Sequence, residues 1–204
     1  MRIILATSNG HKKREIGEIL FDADLPATLM TMREAGADLD IEETGTSFAE
    51  NALQKAQAVH DALAVNGTLD DAVVLADDSG LVVDALNGEP GVYSARYLGE
   101  DTPHSEKNKD ILRRLSGVPD ARRTARFVCA VACVYPDGSS EAVQETMEGR
   151  IAHASKGSGG FGYDPIFVSD GYDKTNGELT AEEKNAISHR GKAFRRMAAL
   201  LANT

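Results

Sequence analysis

Asp77 and Asp78, followed by Ser79 and Gly80, stand directly after the apolar run Ala72-Val73-Val74-Leu75-Ala76. Paired acids beside a hydroxyl are hard oxygen donors that suit a cation such as Mg²⁺, and a carboxylate in a cleft can also take a proton from water. Successive side chains of an extended chain point to opposite faces, so one acid would face a ligand while its neighbour braces it. The same residues also describe an ordinary strand followed by an Asp-Ser-Gly turn, and the choice depends on the rest of the chain.

Three other stretches carry polar groups in suggestive order. Thr7-Ser8-Asn9-Gly10-His11-Lys12-Lys13 follows a short apolar run and precedes a helical pattern. Backbone N–H groups at such a helix start, backed by Lys12, make a cradle for phosphate, although the spacing is not that of a P-loop. Asn51 and Lys55 lie four apart on one helix face and can reach a common ligand, while Glu42 and Glu43 in the preceding loop offer a second acidic arm for a cation at Asp78. Lys156-Gly157-Ser158-Gly159-Gly160-Phe161-Gly162-Tyr163-Asp164-Pro165 contains G-x-G-x-x-G, but Pro165 predicts continued extended chain where a dinucleotide fingerprint would open a helix. Its glycines instead let backbone approach a flat ligand, with Phe161 or Tyr163 available to stack on a base. His189 and Arg190, at a helix start, offer an imidazole and a planar fork of donors to a purine edge or a phosphate.

The elements that must position these groups read as alternating strands and helices. Strands are expected at Arg2 to Ala6, Ala27 to Met32, Ala72 to Ala76, Leu81 to Leu86 and Arg126 to Tyr135, the last turning at Pro136-Asp137-Gly138 into Ala142 to Met147. Helices are expected after Asn9, with Ile16, Ile19 and Leu20 inward, and after Ser47, with Phe48, Ala52, Ala56, Val59 and Leu63 as the stripe. A third begins at Asp101 or Thr102, a short one at Thr180, and a last one at Ser188 with Phe194, Met197, Ala198 and Leu201 inward. These elements describe an α/β chain whose last strands form a hairpin in a mixed sheet.

Composition removes several classes. The chain has 204 residues, enough for one sizeable core or two small lobes, and a net charge of -10, which argues against a surface that coats nucleic acid. Any anionic ligand must meet a local basic pocket. Cys129 and Cys133 sit in one apolar run and read as small core residues of a reducing compartment, with no disulfide framework. No stretch reaches the length of a membrane span and no cleavage-site pattern follows Met1, so the expected location is cytoplasmic, with no membrane partner. His104 reads as a surface histidine. No Ser-His-Asp arrangement or polar setting for a cysteine supports covalent catalysis.

Seven motifs taken together resemble the inosine triphosphate pyrophosphatase family: Thr7 to Lys12, Glu42 to Gly45, Phe48 to Ala52, Ala76 to Leu81, Pro90 to Tyr97, Gly160 to Pro165 and Ile187 to Gly191. They occur in the family's order and span nearly the whole chain. The resemblance implies hydrolysis of non-standard purine nucleoside triphosphates (those of inosine, deoxyinosine and xanthosine, ITP, dITP and XTP) to the monophosphate and pyrophosphate, with Mg²⁺, in a homodimer. It implies one α/β domain over residues 1–204, a long mixed β-sheet flanked by helices as two lobes, with the active-site cleft between them. By position it assigns the phosphate loop to Thr7, Ser8, Asn9, Gly10, His11 and Lys12, a metal carboxylate to Glu42, and a triphosphate-contacting lysine to Lys55. Asp78 falls on the general-base and metal position with Asp77 in support, and Ser79 contacts substrate. The base pocket falls on Phe161, Gly162, Tyr163 and Asp164, completed by Lys184, His189 and Arg190. Ser8 and His11 stand where the family often has glycines or other small residues. Selectivity is expected at the purine 6-position, where a site that donates to a 6-oxo group leaves donors unpaired against adenine. The rival readings are a pyrophosphatase of related fold acting on modified pyrimidine or standard nucleotides, and a nucleotide-binding module without turnover.

Overall fold

The computed structural model describes residues 1–203, the side chains of His11 and Ala181 excepted. Among the described residues, strands β1 (Arg2–Leu5), β2 (Thr28–Thr31), β3 (Val73–Val83), β4 (Thr124–Val134), β5 (Ser140–Ile151) and β6 (Phe167–Ser169) form one sheet in the order β2-β1-β3-β4-β5-β6. It is mixed, as expected: β1 runs parallel to β2 and β3, and β5 antiparallel to β6. The helices are α1 (Gly10–Asp22), α2 (Phe48–Asn66), α3 (His104–Arg114), α4 (Ala181–Ile187) and α5 (His189–Leu201). None of them is long and apolar enough to cross a membrane. The chain divides into two compact units, one of residues 1–78, 129–145 and 190–204, the other of residues 79–128 and 146–189.

In the first unit, β1 and the start of β3 are buried on both faces, so their side chains sort by alternation. Ile3, Leu5, Val73 and Leu75 pack with Ile16 and Leu20 of α1 and with Phe194, Met197 and Leu201 of α5. Ile4, Val74 and Ala76 pack with Ala56, Val59 and Leu63 of α2. The Ser47 side chain caps α2 as the sequence predicts, and Gly67, in the left-handed region at φ 67°, ends it. In the second unit, Leu81 and Val83 pack with Ile111 and Leu115 at α3, with Phe127 and Met147, and with Tyr163, Ile166 and Phe167.

Three elements depart from expectation. The two strands predicted on either side of Asp77-Asp78-Ser79-Gly80 are one strand, β3, which runs through the acids without a turn. Helix α3 begins at His104, because Pro103 excludes its predecessor Thr102 from helical backbone. Asp164–Ile166 is a single 3₁₀ turn instead of extended chain, with Pro165 in its first positions, and β6 follows at once.

Candidate active site

Because β3 continues through the acids, the pleat that sorts its apolar residues also sorts Asp77 and Asp78. Asp77 follows Val73 and Leu75 onto the α1 and α5 face. Its Oδ1 lies 2.5 Å from Lys12 Nζ and its Oδ2 3.5 Å from Arg190 Nε. Arg190, half-buried, also reaches Glu15 of α1 at 3.2 Å. Burial would push the Asp77 carboxyl up, but Lys12 and Arg190 outweigh it and hold the group at about 2. Asp77 is therefore a fixed anion with little basicity. Arg190 is pushed the other way: burial lowers it, Asp77 and Glu15 raise it, and the net shift is upward.

Asp78 follows Val74 and Ala76 onto the α2 face. Asn51 Nδ2 donates to Asp78 Oδ2 at 3.0 Å, and Lys55 Nζ lies 3.9 Å from Oδ1. Asn51 and Lys55 are one turn apart on α2, so the shared helix face predicted for them is aimed at this carboxylate. Lys55 also meets Glu43 at 2.5 Å, and Asn51 Oδ1 accepts from the N–H of Gly45 at 2.8 Å, which ties the acidic loop to the same helix. Glu42, the metal carboxylate of the resemblance, is exposed beside Glu43. Ser79 is half-buried in β3.

The phosphate loop is shorter than predicted, since α1 already begins at Gly10 and only Thr7 to Asn9 are loop. Asn9 serves as the cap: its Oδ1 accepts from Lys12 N at 3.4 Å, and Thr7 Oγ1 accepts from Asn9 N at 3.2 Å. Ser8, Asn9 and Gly10 are exposed at this helix start, where N–H groups and the helix dipole favour an anion. The His11 side chain lies outside the described residues.

In the second unit the structure gathers Phe161, Asp164 and Lys184. Asp164 Oδ2 accepts from the N–H of Phe161 at 2.7 Å and from Lys184 Nζ at 2.6 Å. The same ammonium sits 4.4 Å from the centre of the Phe161 ring, which is 62% exposed. Phe161 is thus a presented flat surface. Tyr163 is core: it is 3% exposed and its hydroxyl donates to the Ser94 carbonyl at 2.7 Å, so of the two predicted stacking residues Phe161 is the available one. The glycines serve the loop itself. Gly160 has φ +71°, and a Cβ there would collide with the Asp164 carboxylate; Gly157, at φ +77°, lies against the Gly177 backbone. His189 stacks on Phe127 with ring centroids 5.1 Å apart. Arg190, grouped with His189 by the sequence, makes its ion pairs with Asp77 and Glu15. Glu15 carried no signal in the sequence, because its role depends on α5 meeting α1.

A hard cation fits the donor chemistry of the first unit. Glu43 and Asp78 bring carboxylate oxygens to a common neighbour, Lys55, and Glu42 adjoins them. Among the described residues no group of three or more His, Cys, Asp or Glu side chains is clustered for a metal. Mg²⁺ commonly takes only one or two protein carboxylates and completes its shell with water and substrate phosphate, so that finding is compatible with the donor set.

Comparison with known proteins places this geometry. The model of the Ham1 family matches residues 3–200. A dITP/XTP pyrophosphatase of Streptomyces coelicolor is 47% identical over 199 residues, which cover 95% of this chain and 94% of that protein. One from Clostridium perfringens is 45% identical over 196 residues, 96% of this chain and 95% of its own. Among solved structures, the Ham1 protein of Staphylococcus aureus superposes with a TM-score of 0.87 at 38% identity, covering 100% of this chain and 99% of that one. A nucleoside-triphosphatase / dITP/XTP pyrophosphatase from Mycobacterium abscessus gives 0.77 at 41% identity, covering 98% and 99%.

Proposed function

This chain belongs to the Ham1 family, and from that premise we propose that it is a nucleoside triphosphate pyrophosphatase that removes dITP, XTP and ITP from the nucleotide pool. The products are the nucleoside monophosphate and pyrophosphate. The observation that carries the reading is the division of the paired acids: Asp77 neutralised by Lys12 and Arg190 on one face of β3, Asp78 held by Asn51 beside Lys55 on the other. A module that only bound nucleotides would need no second acid set apart in this way.

A triphosphate and its transition state carry dense negative charge, so catalysis is chiefly positioning and electrostatic stabilisation. Lys12, Lys55 and the loop and helix start of Thr7 to Lys12 hold the triphosphate, the N–H groups of Thr7, Asn9 and Lys12 being spent on the loop itself. Asp78 orients the attacking water and takes its proton, with Asn51 fixing the carboxylate that receives it. Asp77, ionised and weakly basic, holds Lys12 in place instead of accepting a proton. Ser79 contacts the substrate. Glu42 and Asp78, with Glu43 adjoining, would hold Mg²⁺, which when bound neutralises phosphate charge. Phe161 stacks on the purine, and Gly162, Asp164, Lys184 and His189 meet its edge, with Tyr163 anchoring the loop from the core. Arg190, given to the base by the resemblance, acts through Asp77. The enzyme works as a cytoplasmic homodimer.

Pyrophosphate release from ITP, XTP, ATP and GTP, with and without Mg²⁺, tests this. Release from ITP and XTP only, abolished by chelation and restored by Mg²⁺, is the expected result. Equal rates on all four would refute the selectivity, and no release from any would favour a binding module.

A further inference from the structure

The face that α3 turns inward is formed by Lys107, Asn108 and Ile111, with Leu115 after its last turn. This spacing ordinarily carries apolar side chains, yet two of the four are polar and deeply buried, Lys107 at 1% exposure and Asn108 at 4%. Burying an ammonium against a carbonyl is costlier than burying an apolar chain of similar volume, so core stability alone does not account for the choice.

Both side chains spend their donors on loop main chain. Lys107 Nζ donates to the Ala95 carbonyl at 2.5 Å, and Asn108 Nδ2 donates to the Gly162 carbonyl at 3.1 Å. Among the described residues Asn108 Oδ1 is buried without a hydrogen-bond partner, so the amide is held there for its donor. The two loops are joined to each other, because the Tyr163 hydroxyl donates to the carbonyl of Ser94. Ser94 Oγ in turn accepts from the N–H of Leu81 in β3 at 2.9 Å. His104, at the start of α3, packs edge-on against Tyr163 at 5.4 Å. Gly162 is the pivot of this assembly, at φ +64°, with Phe161 before it. Fixing the Gly162 carbonyl fixes the plane of the peptide that follows, and the N–H of Asp164 donates to the Phe161 carbonyl at 3.2 Å, so Phe161 to Asp164 is held as one turn.

We propose that Lys107 and Asn108 are positioning residues for purine recognition, clamping the Ala95 and Gly162 carbonyls so that Phe161 is presented to the base at one fixed angle. The proposal rests on the assignment of Phe161 to Asp164 as the base loop. Neither side chain touches the base; both act through the loop.

The test uses the full chain and the variant Asn108→Leu, similar in volume but without the donor. The expected result is a rise of about tenfold in KM for XTP and a similar fall in the preference for XTP over ATP, with kcat within about threefold. Inorganic tripolyphosphate, which carries the anionic part and no base, should inhibit variant and wild type with the same Ki; a general structural defect would weaken both ligands. Lys107→Met, equal in length and uncharged, should shift KM and preference in the same direction without lowering thermal stability, and it decides the matter if Asn108→Leu does not fold. KM for XTP and Ki for tripolyphosphate rising together, or both staying at wild-type values in a folded variant, would overturn the proposal. Phe161→Ala separates the two layers: if it leaves KM for XTP unchanged, the base-loop assignment fails and the clamp falls with it. If Phe161→Ala raises KM and neither α3 variant does, the clamp alone is refuted.

Discussion

Replacing Asp77 by asparagine isolates the charge on which Lys12 and Arg190 converge. The side chain keeps its size, but Lys12 Nζ at 2.5 Å and Arg190 Nε at 3.5 Å lose their shared anion. Two routes give the magnitude. Burial raises the carboxyl and the cations lower it further, leaving it at about 2 against an ordinary 3.8. At about 1.4 kcal/mol per pH unit, that gap favours the ionised folded state by about 2.5 kcal/mol. Removing one member of a buried ion pair typically costs about 3–5 kcal/mol. Arg190 retains Glu15 at 3.2 Å, and Lys12 is 24% exposed, so the lower end applies. Asp77→Asn should therefore lose about 3 kcal/mol at neutral pH. The sign of the pH dependence follows from a folded value below the unfolded one: the contribution is complete above the unfolded pKa and is lost as pH falls through 3.8 towards about 2. Urea unfolding of both proteins, followed by circular dichroism from neutral pH to about pH 3, measures the difference. A variant within about 1 kcal/mol of wild type at neutral pH, or a difference that does not shrink in acid, would refute the reasoning.

Asp78→Asn should lower kcat for XTP by about 10²- to 10⁴-fold while KM stays within about threefold; a near-normal rate of pyrophosphate release removes Asp78 from the role of base. Gly160→Ala should destabilise the protein by about 1–3 kcal/mol in thermal melts and raise KM for XTP, because the new Cβ strains a left-handed residue and strikes the Asp164 carboxylate; a variant as stable as wild type contradicts this. Burial pushes the thiols of Cys129 and Cys133 up, so neither should react with Ellman's reagent in the native protein at about pH 8, and both should react in guanidinium chloride; fast native labelling would place a thiol at the surface.

Local pattern carried much of this structure. Alternation places Asp77 and Asp78 on opposite faces of β3, and helical spacing places Asn51 and Lys55 together; in the structure Asp77 meets Lys12, and Asp78 meets Asn51 and Lys55. What local pattern could not supply was the set of partners that lets an acid pair sit inside a strand. A run ending in Asp-Asp-Ser-Gly looks like a strand end because a buried carboxylate without a cation is costly. Lys12 and Arg190 come from opposite ends of the sequence, and only with them in place does extended backbone through Asp77 become tolerable. The same limit applies to Glu15, whose value appears when α5 brings Arg190 to it, and to Gly157, whose close neighbour is Gly177. Tyr163 shows the converse error of reading by residue type: an aromatic beside a glycine loop suggests stacking, but Ser94 claims its hydroxyl.

The continuity of β3 changes what the paired acids can be. Carboxylates at a strand end ride on the adjoining loop, whereas these are held in register by the strand's own ladder and by α2 on one side, α1 and α5 on the other. Because the backbone fixes both at once, neither can turn toward the other's partners, and the two acids are separated chemically as well as spatially. Asp77 faces two cations and is kept ionised; Asp78 faces an amide donor, with Lys55 3.9 Å away and shared with Glu43. Under the proposed function water attack uses this asymmetry: one acid kept ionised at neutral pH, holding Lys12, and one oriented by Asn51. Held on a strand, that asymmetry is built before the substrate arrives, and no free energy of binding is diverted to assemble it.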